Sequence, residues 1–295
     1  MHGVRRWVAA LSCAFASTFA GSCGGGPEGP PTERLESLEY TLEPGQEEYY
    51  CYSWNLPADR ETIIHAFRPD YGDATHHIFF GYTLAPDPDG FYDCPQLART
   101  TWVPLFLGGA NTSDLELPEG AAVRLPPGTQ VFMQLHLQNA TSETITARTA
   151  MDLEMGTAES ARMSAGVFGL DDRTVSLPAR ARDVRSTMQC MPGRDMDVFA
   201  VLGHMHTYGS RLEVWRGEAD TGSLLFDQAW TFADQPTTPV GFHIGADDMV
   251  TLRCTHDNPS DVLVPYGESS TQEMCSFIFY YTPFDFVDGC IQGGE

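Results

Sequence analysis

Beyond Leu35 no stretch of useful length repeats its apolar residues with the period of an amphipathic helix. Short apolar and aromatic runs alternate instead with turns rich in Pro, Gly and Asp. Residues 48–54 (EYYCYSW), 62–67, 131–137, 211–216, 250–254 and 276–281 are the clearest of these runs. Strands this short, punctuated this regularly, predict antiparallel β-sandwiches. A chain of 295 residues suits one large domain or two ordinary ones. The polar, weakly patterned stretch 156–160 divides it into halves of sandwich size, which predicts an all-β chain with domains at 35–157 and 158–295.

Composition excludes several functions. A net charge of −23 makes nucleic acid an unsuitable partner and would repel an anionic membrane surface. All 17 basic residues are arginine. Without lysine there is no Schiff-base catalysis, no pyridoxal phosphate attachment and no phosphate-loop lysine.

Residues 1–22 read as a secretory signal: Arg5 and Arg6 precede an apolar run from Trp7 to Ala20. The run ends in FAGSC, similar to a bacterial lipoprotein processing site, so Cys23 is the candidate lipidated residue and residues 23–34 (beginning CGGGPEGPP) a flexible tether. The other reading is cleavage and release. Either way the chain is expected to be exported, as a periplasm-facing or cell-surface lipoprotein or a secreted protein. Outside Cys13 and Cys23 the cysteines are Cys51, Cys94, Cys190, Cys254, Cys275 and Cys290. An even number in an exported chain reads as three disulfides, for which six cysteines leave 15 pairings open.

Four stretches carry candidate metal ligands. In 74–81 (ATHHIFFG) two adjacent histidines open a strand, and strand geometry sends neighbours to opposite faces. His76 and His77 can share one ion only if the backbone bulges there. In 131–138 (VFMQLHLQ) one face is apolar, and the other carries Gln134 and His136. His204-Met205-His206 closes an apolar strand, with both imidazoles on one side. Its spacing to the next acid, Glu213, excludes a cupin site. In 272–281 (QEMCSFIFYY), Met274 precedes a cysteine at the head of an aromatic strand. A methionine there is a gap-filler in the core or a thioether ligand.

Taken in order, THHIFFGY, VFMQLHLQ, HMHTYG, and DMVTLRC followed by QEMCSFIFYY resemble the copper type II, ascorbate-dependent monooxygenases, over about Leu38 to Asp288. The resemblance implies two tandem jelly-roll-like sandwiches, each with one copper, held apart across a cleft open to a reductant. It implies an electron-transfer copper on His76, His77 and His136, and an oxygen-binding copper on His204, His206 and Met274. A thioether beside imidazoles favours Cu(I). It also implies the pairs Cys51–Cys94, Cys190–Cys290 and Cys254–Cys275. The activity implied is hydroxylation of a C–H bond of a small molecule, with dioxygen and ascorbate or another one-electron donor. No protein partner is implied. The alternative is an exported copper-handling protein without turnover.

The substrate pocket departs from the family's pattern. Leu202 stands where the peptide hydroxylase has a carboxylate-binding arginine, and Ser276 and Ile278 replace its asparagine and tyrosine. These three predict a less polar pocket and an uncharged aromatic or aliphatic substrate rather than a peptide, while Gln134 keeps the glutamine of the family's strand, for which the resemblance implies a polar link between the sites. His65, His243 and His256 match no ligand position and are expected to be structural or surface residues.

Overall fold

The computed structural model describes residues 30–94, 99, 101–109, 112–285 and 288–293. The signal, Cys13 and Cys23 lie outside the described residues. Among those described there is no helix, and the sheets form two sandwich-like halves.

The first half packs a six-stranded sheet against a five-stranded one. The five-stranded sheet runs Gly90–Asp93, Glu47–Asn55, Gln130–Gln138, Thr75–Thr83, Trp102–Gly109. The second half packs the order Thr238–Ile244, Met196–His204, Ser276–Thr282, Gly166–Asp172, Asp288–Gln292 against a four-stranded sheet. Two details move the expected boundaries. Thr32–Glu36 is a strand paired with Ala150–Met155, so residues 32–34 belong to the first sandwich and not to a tether. Met163–Ser164 still pairs with Ala121–Leu125 of the first half, so the chain leaves that sheet only afterwards.

The runs read as strands are strands, and their alternation sorts residues between two cores. In Ser276–Thr282, Phe277, Phe279 and Tyr281 enter the second core. Tyr280, with Leu202 and Ala200, joins the core of the first half. The Tyr280 hydroxyl donates to the Leu107 carbonyl and accepts the Leu107 amide, both at 3.1 Å. The two sandwiches therefore share a buried seam. On Gln130–Gln138 the face carrying Gln134 and His136 is buried too, with Phe132 packed on Trp102 and His136 on Tyr49. Phe132, Gln134 and His136 on that face are as buried as Val131, Met133 and Leu135 opposite them.

The disulfides are Cys51–Cys94, Cys190–Cys290 and Cys254–Cys275, the pairs the resemblance implied. They close loops of 43, 100 and 21 residues respectively. Because the entropy removed from the unfolded chain grows with loop length, Cys190→Ser/Cys290→Ser should cost about 4–5 kcal/mol, against about 3 kcal/mol for the shortest loop. Urea unfolding of the two double variants checks the order.

Candidate metal centres and the pocket between them

A bulge lets the adjacent histidines converge. His136 pairs with His77, but Leu137 pairs with Thr75, so the ladder skips His76. Just before the bulge, Ala74 takes a positive φ of 72°. With the extra residue accommodated, both imidazoles turn toward His136. The His136 Nδ1 lies 3.2 Å from the His76 Nδ1 and 3.3 Å from the His77 Nδ1. Each of these three histidines can present a nitrogen to one ion. Such separations suit imidazole nitrogens arrayed around a first-row ion at about 2.0–2.1 Å, as measured for zinc.

His136 is wholly buried, and its other nitrogen, Nε2, is 2.6 Å from Glu47 Oε1. That bond holds the Glu47 carboxyl below the usual carboxylate range, despite its partial burial. An ionised carboxylate can only accept, so His136 carries its proton on Nε2 and turns the Nδ1 lone pair to the cluster. Tyr49, directly opposite on the next strand, stacks on the His136 ring at 4.3 Å and 8°.

The second set is built at the end of Met196–His204. The His204 and His206 rings stand 5.1 Å apart at 86°. Gln235 donates through Nε2 to the Phe232 carbonyl, which fixes its amide and aims Oε1 at His204 Nδ1, 2.8 Å away. His206 Nδ1 donates to the Gln272 carbonyl at 3.1 Å. Both rings thus hold their proton on Nδ1 and keep Nε2 free. The proton on the outer nitrogen is what fixes a ligating imidazole.

Met274 lines the same cavity as His204. Its backbone is held on both sides: the amide donates to Glu273 at 2.9 Å, and the carbonyl accepts from His256 Nε2 at 3.3 Å. His256 is therefore a buried support for Met274 and not a surface residue. Of the other two non-ligand histidines, His65 bonds the Ala121 carbonyl and Ser160 Oγ, and His243 is an exposed partner of Asp197.

Sequence reasoning passed over Glu273, which is completely buried. Its carboxylate accepts the amides of His206, Tyr208 and Met274. It ties the His204-Met205-His206 turn to the Met274 strand. Burial pushes its pKa up to about 7 against the pull of those amides.

Burial and the neighbouring imidazoles push His76 and His206 down to about 3. Burial lowers His204 and, with the surrounding histidines, takes His77 well below its ordinary value. At neutral pH these four rings are uncharged, the form that binds a metal ion.

The expected separation of the two sets across an open cleft does not hold. The His77 and His204 ring centroids are 5.9 Å apart. Segments 231–237 and 267–272 of the second half pack on the first half and close the gap. Phe232 stacks on His76 at 4.3 Å and meets His206 edge-on at 6.2 Å. Thr112 donates to the Gln235 carbonyl at 2.6 Å. This approach requires Gly109, where an added Cβ would sit 2.7 Å from Gln235.

Between the sets lies a cavity of about 220 Å³. His77, Phe79, Leu107 and Gln134 line it from the first half; His204, Leu202, Met274, Ser276 and Ile278 line it from the second. The four expected pocket residues are thus brought together. Leu202 and Ile278 are cross-strand partners, as are His204 and Ser276. One wall is more polar than expected. Asp171 there accepts from Ser276 at 2.7 Å, Arg173 at 2.7 Å and Tyr266 at 3.1 Å. Glu268 adjoins it, raised to about 7 by burial and by Asp171. A larger groove of about 760 Å³, along Tyr82 to Asp89 and Arg124 to Gln130, contains no histidine.

The donor types fit copper: imidazoles throughout, and a soft thioether lining the same cavity as His204. The His76 Nε2 is buried without a hydrogen-bond partner, and Phe232 stacked on its face is what holds that ring.

Comparison with known proteins agrees with this chemistry. Residues 163–295 match the family of the copper type II ascorbate-dependent monooxygenase C-terminal domain. Peptidyl-glycine alpha-amidating monooxygenase A of Xenopus laevis is 26% identical over 288 residues, covering 88% of this chain and 30% of that protein. Peptidyl-glycine alpha-amidating monooxygenase of Mus musculus is 23% identical, covering 90% and 29%. The chain spans about 30% of the length of these relatives. A chain from Sulfolobus Turreted Icosahedral Virus aligns over 84% of this chain and 58% of its own at 12% identity, with a TM-score of only 0.25. Residues 163–295 match the copper type II ascorbate-dependent monooxygenase C-terminal domain, and along most of its length the chain is similar to peptidyl-glycine alpha-amidating monooxygenases.

Proposed function

We propose that the chain hydroxylates a C–H bond of a small organic molecule, using dioxygen and ascorbate or another one-electron donor. One observation carries this reading: both ligand sets open into the same cavity, His77 from one side and His204 with Met274 from the other. His76, His77 and His136 would hold one copper, and His204, His206 and Met274 the other. When bound, the metals supply one-electron chemistry and dioxygen activation.

The chain's own residues supply the rest. Glu47, Gln235 and the Gln272 carbonyl fix the imidazole tautomers. Phe79, Leu107, Leu202 and Ile278 give the substrate body an apolar bed and exclude water around it. A peptide substrate, as the relatives' names describe for them, is not what this cavity suits. Its volume is below the usual range of about 300–1,000 Å³ for ligand pockets. Its Leu202–Ile278 wall is apolar, and Arg173 on the polar wall is already paired with Asp171 at 2.7 Å. Three disulfides suit an oxidising compartment outside the cytoplasm; a lipid anchor at Cys23 belongs to the same proposal.

The test is copper reconstitution of the protein, with metal analysis and ascorbate-driven oxygen uptake over a panel of small aromatic and aliphatic compounds. The expected result is a copper at each site and uptake that requires one of the compounds. Full copper loading without uptake across the panel would favour a copper-handling protein. Failure to load both sites would overturn the ligand assignment.

A further inference from the structure

We infer that Glu47 is a positioning residue for both ligand sets, holding His136 in one tautomer and fixing the segment of the other half that leads to Met274. The inference rests on the copper reading for its metal-binding consequence, but its structural basis stands apart from it.

Glu47 and Tyr49 lie on one face of Glu47–Asn55, two residues apart. Tyr49 is opposite His136, and Glu47 is opposite Gln138. The pair grips His136 from two directions, Tyr49 against the ring face and Glu47 at Nε2. The same two side chains reach across the seam. The Glu47 carboxylate lies 3.4 Å from the Ser270 amide and 3.3 Å from its hydroxyl. The Tyr49 hydroxyl donates to the Glu268 carbonyl at 3.0 Å, and Gln138 Nε2 donates to Ser270 Oγ at 3.2 Å.

The segment so held is short and leads directly to the other site. Two residues beyond Ser270 is Gln272, whose carbonyl takes the His206 proton; two further is Met274. A carboxylate placed to orient one ligand thus also anchors the backbone that orients two others. The segment GESSTQ forms its own turn, with the Gln272 amide donating to the Ser269 carbonyl at 2.8 Å, but those internal bonds do not set where the turn sits against the first half. Its backbone takes that position from the contacts of Glu47, Tyr49 and Gln138.

Carboxylate partners of ligating histidines are worth about 10–100-fold in metal affinity. The experiment uses the full chain and the variants Glu47→Ala and Glu47→Gln. Nitrogen-15 NMR of the metal-free protein reads the His136 tautomer. Hydrogen exchange reads residues 268–274. Competition with a chromogenic chelator under ascorbate reads Cu(I) affinity. In wild type, His136 is expected to carry a proton on Nε2, facing Glu47. Glu47→Ala should mix the tautomers, speed exchange at 268–274, and weaken the three-histidine site by about 10–100-fold. Glu47→Gln keeps an acceptor oxygen and should fall between.

An unchanged tautomer in Glu47→Ala overturns the orienting role. A changed tautomer with unchanged exchange at 268–274 overturns the link to the second site. Should wild type bind no copper, the copper reading fails, while the tautomer and exchange data still decide what Glu47 does.

Discussion

On the proposed copper reading, Met274→Ile should remove substrate oxidation and leave copper on the three-histidine site. The main chain at Met274 does not depend on its side chain. Glu273 holds the amide, His256 the carbonyl, and the Cys254–Cys275 disulfide fixes the next residue. Isoleucine is close to methionine in volume, so the change should cost less than about 1.5 kcal/mol of stability. What it removes is the soft donor that favours Cu(I) beside His204 and His206. Losing an outer partner costs up to about 100-fold, and losing a ligand should exceed that. Metal analysis should show the second copper lost or weakened and the first retained, with ascorbate-driven uptake at background. A fully active variant would place the oxygen chemistry elsewhere.

Glu273→Gln should unfold the second site more readily than any exposed substitution nearby. The buried carboxylate offers its two oxygens to three amides: His206 and Met274 share Oε1, and Tyr208 takes Oε2. A glutamine has one oxygen. Whichever way it turns, its NH2 group faces at least one backbone N–H, a donor against a donor. A buried donor left unpaired costs about 1–3 kcal/mol, and the facing NH2 adds to it. Glu273→Ala strips all three amides and should cost several kcal/mol. The loss should appear as a lower urea midpoint and weaker copper binding at His204, His206 and Met274. An unchanged midpoint in both variants would show that the carboxylate does not hold the turn.

Much of the architecture was legible because strands announce themselves. The runs at 48–54, 131–137 and 276–281 lie within observed strands. The faces followed from the two-residue period. Misreadings arose where a face was judged by residue type without knowing what covers it. Gln134 and His136 made the second face of Gln130–Gln138 look polar, yet Trp102, Cys94 and Tyr49, distant in the chain, cover it. The pocket looked uncharged from Leu202, Ser276 and Ile278 because Asp171, Arg173 and Glu268 come from distant positions. Glu273 could have been suspected, since it directly precedes Met274. Glu47 could not: its partners lie 89 and 223 residues away.

The sequence by itself determined the residue types of the ligands, the strands that carry them and the supply of cysteines. Local pattern and donor chemistry suffice for these. Only the tertiary structure decided that a bulge at His76 turns adjacent histidines to one point, and that the two sets lie against each other around one cavity. The physical reason is that strand periodicity fixes where a side chain points relative to its own backbone. It does not fix the ladder's slippages or the seam between two sandwiches. Those depend on side chains such as Tyr280, Phe232 and Gln235 finding partners far away in the chain.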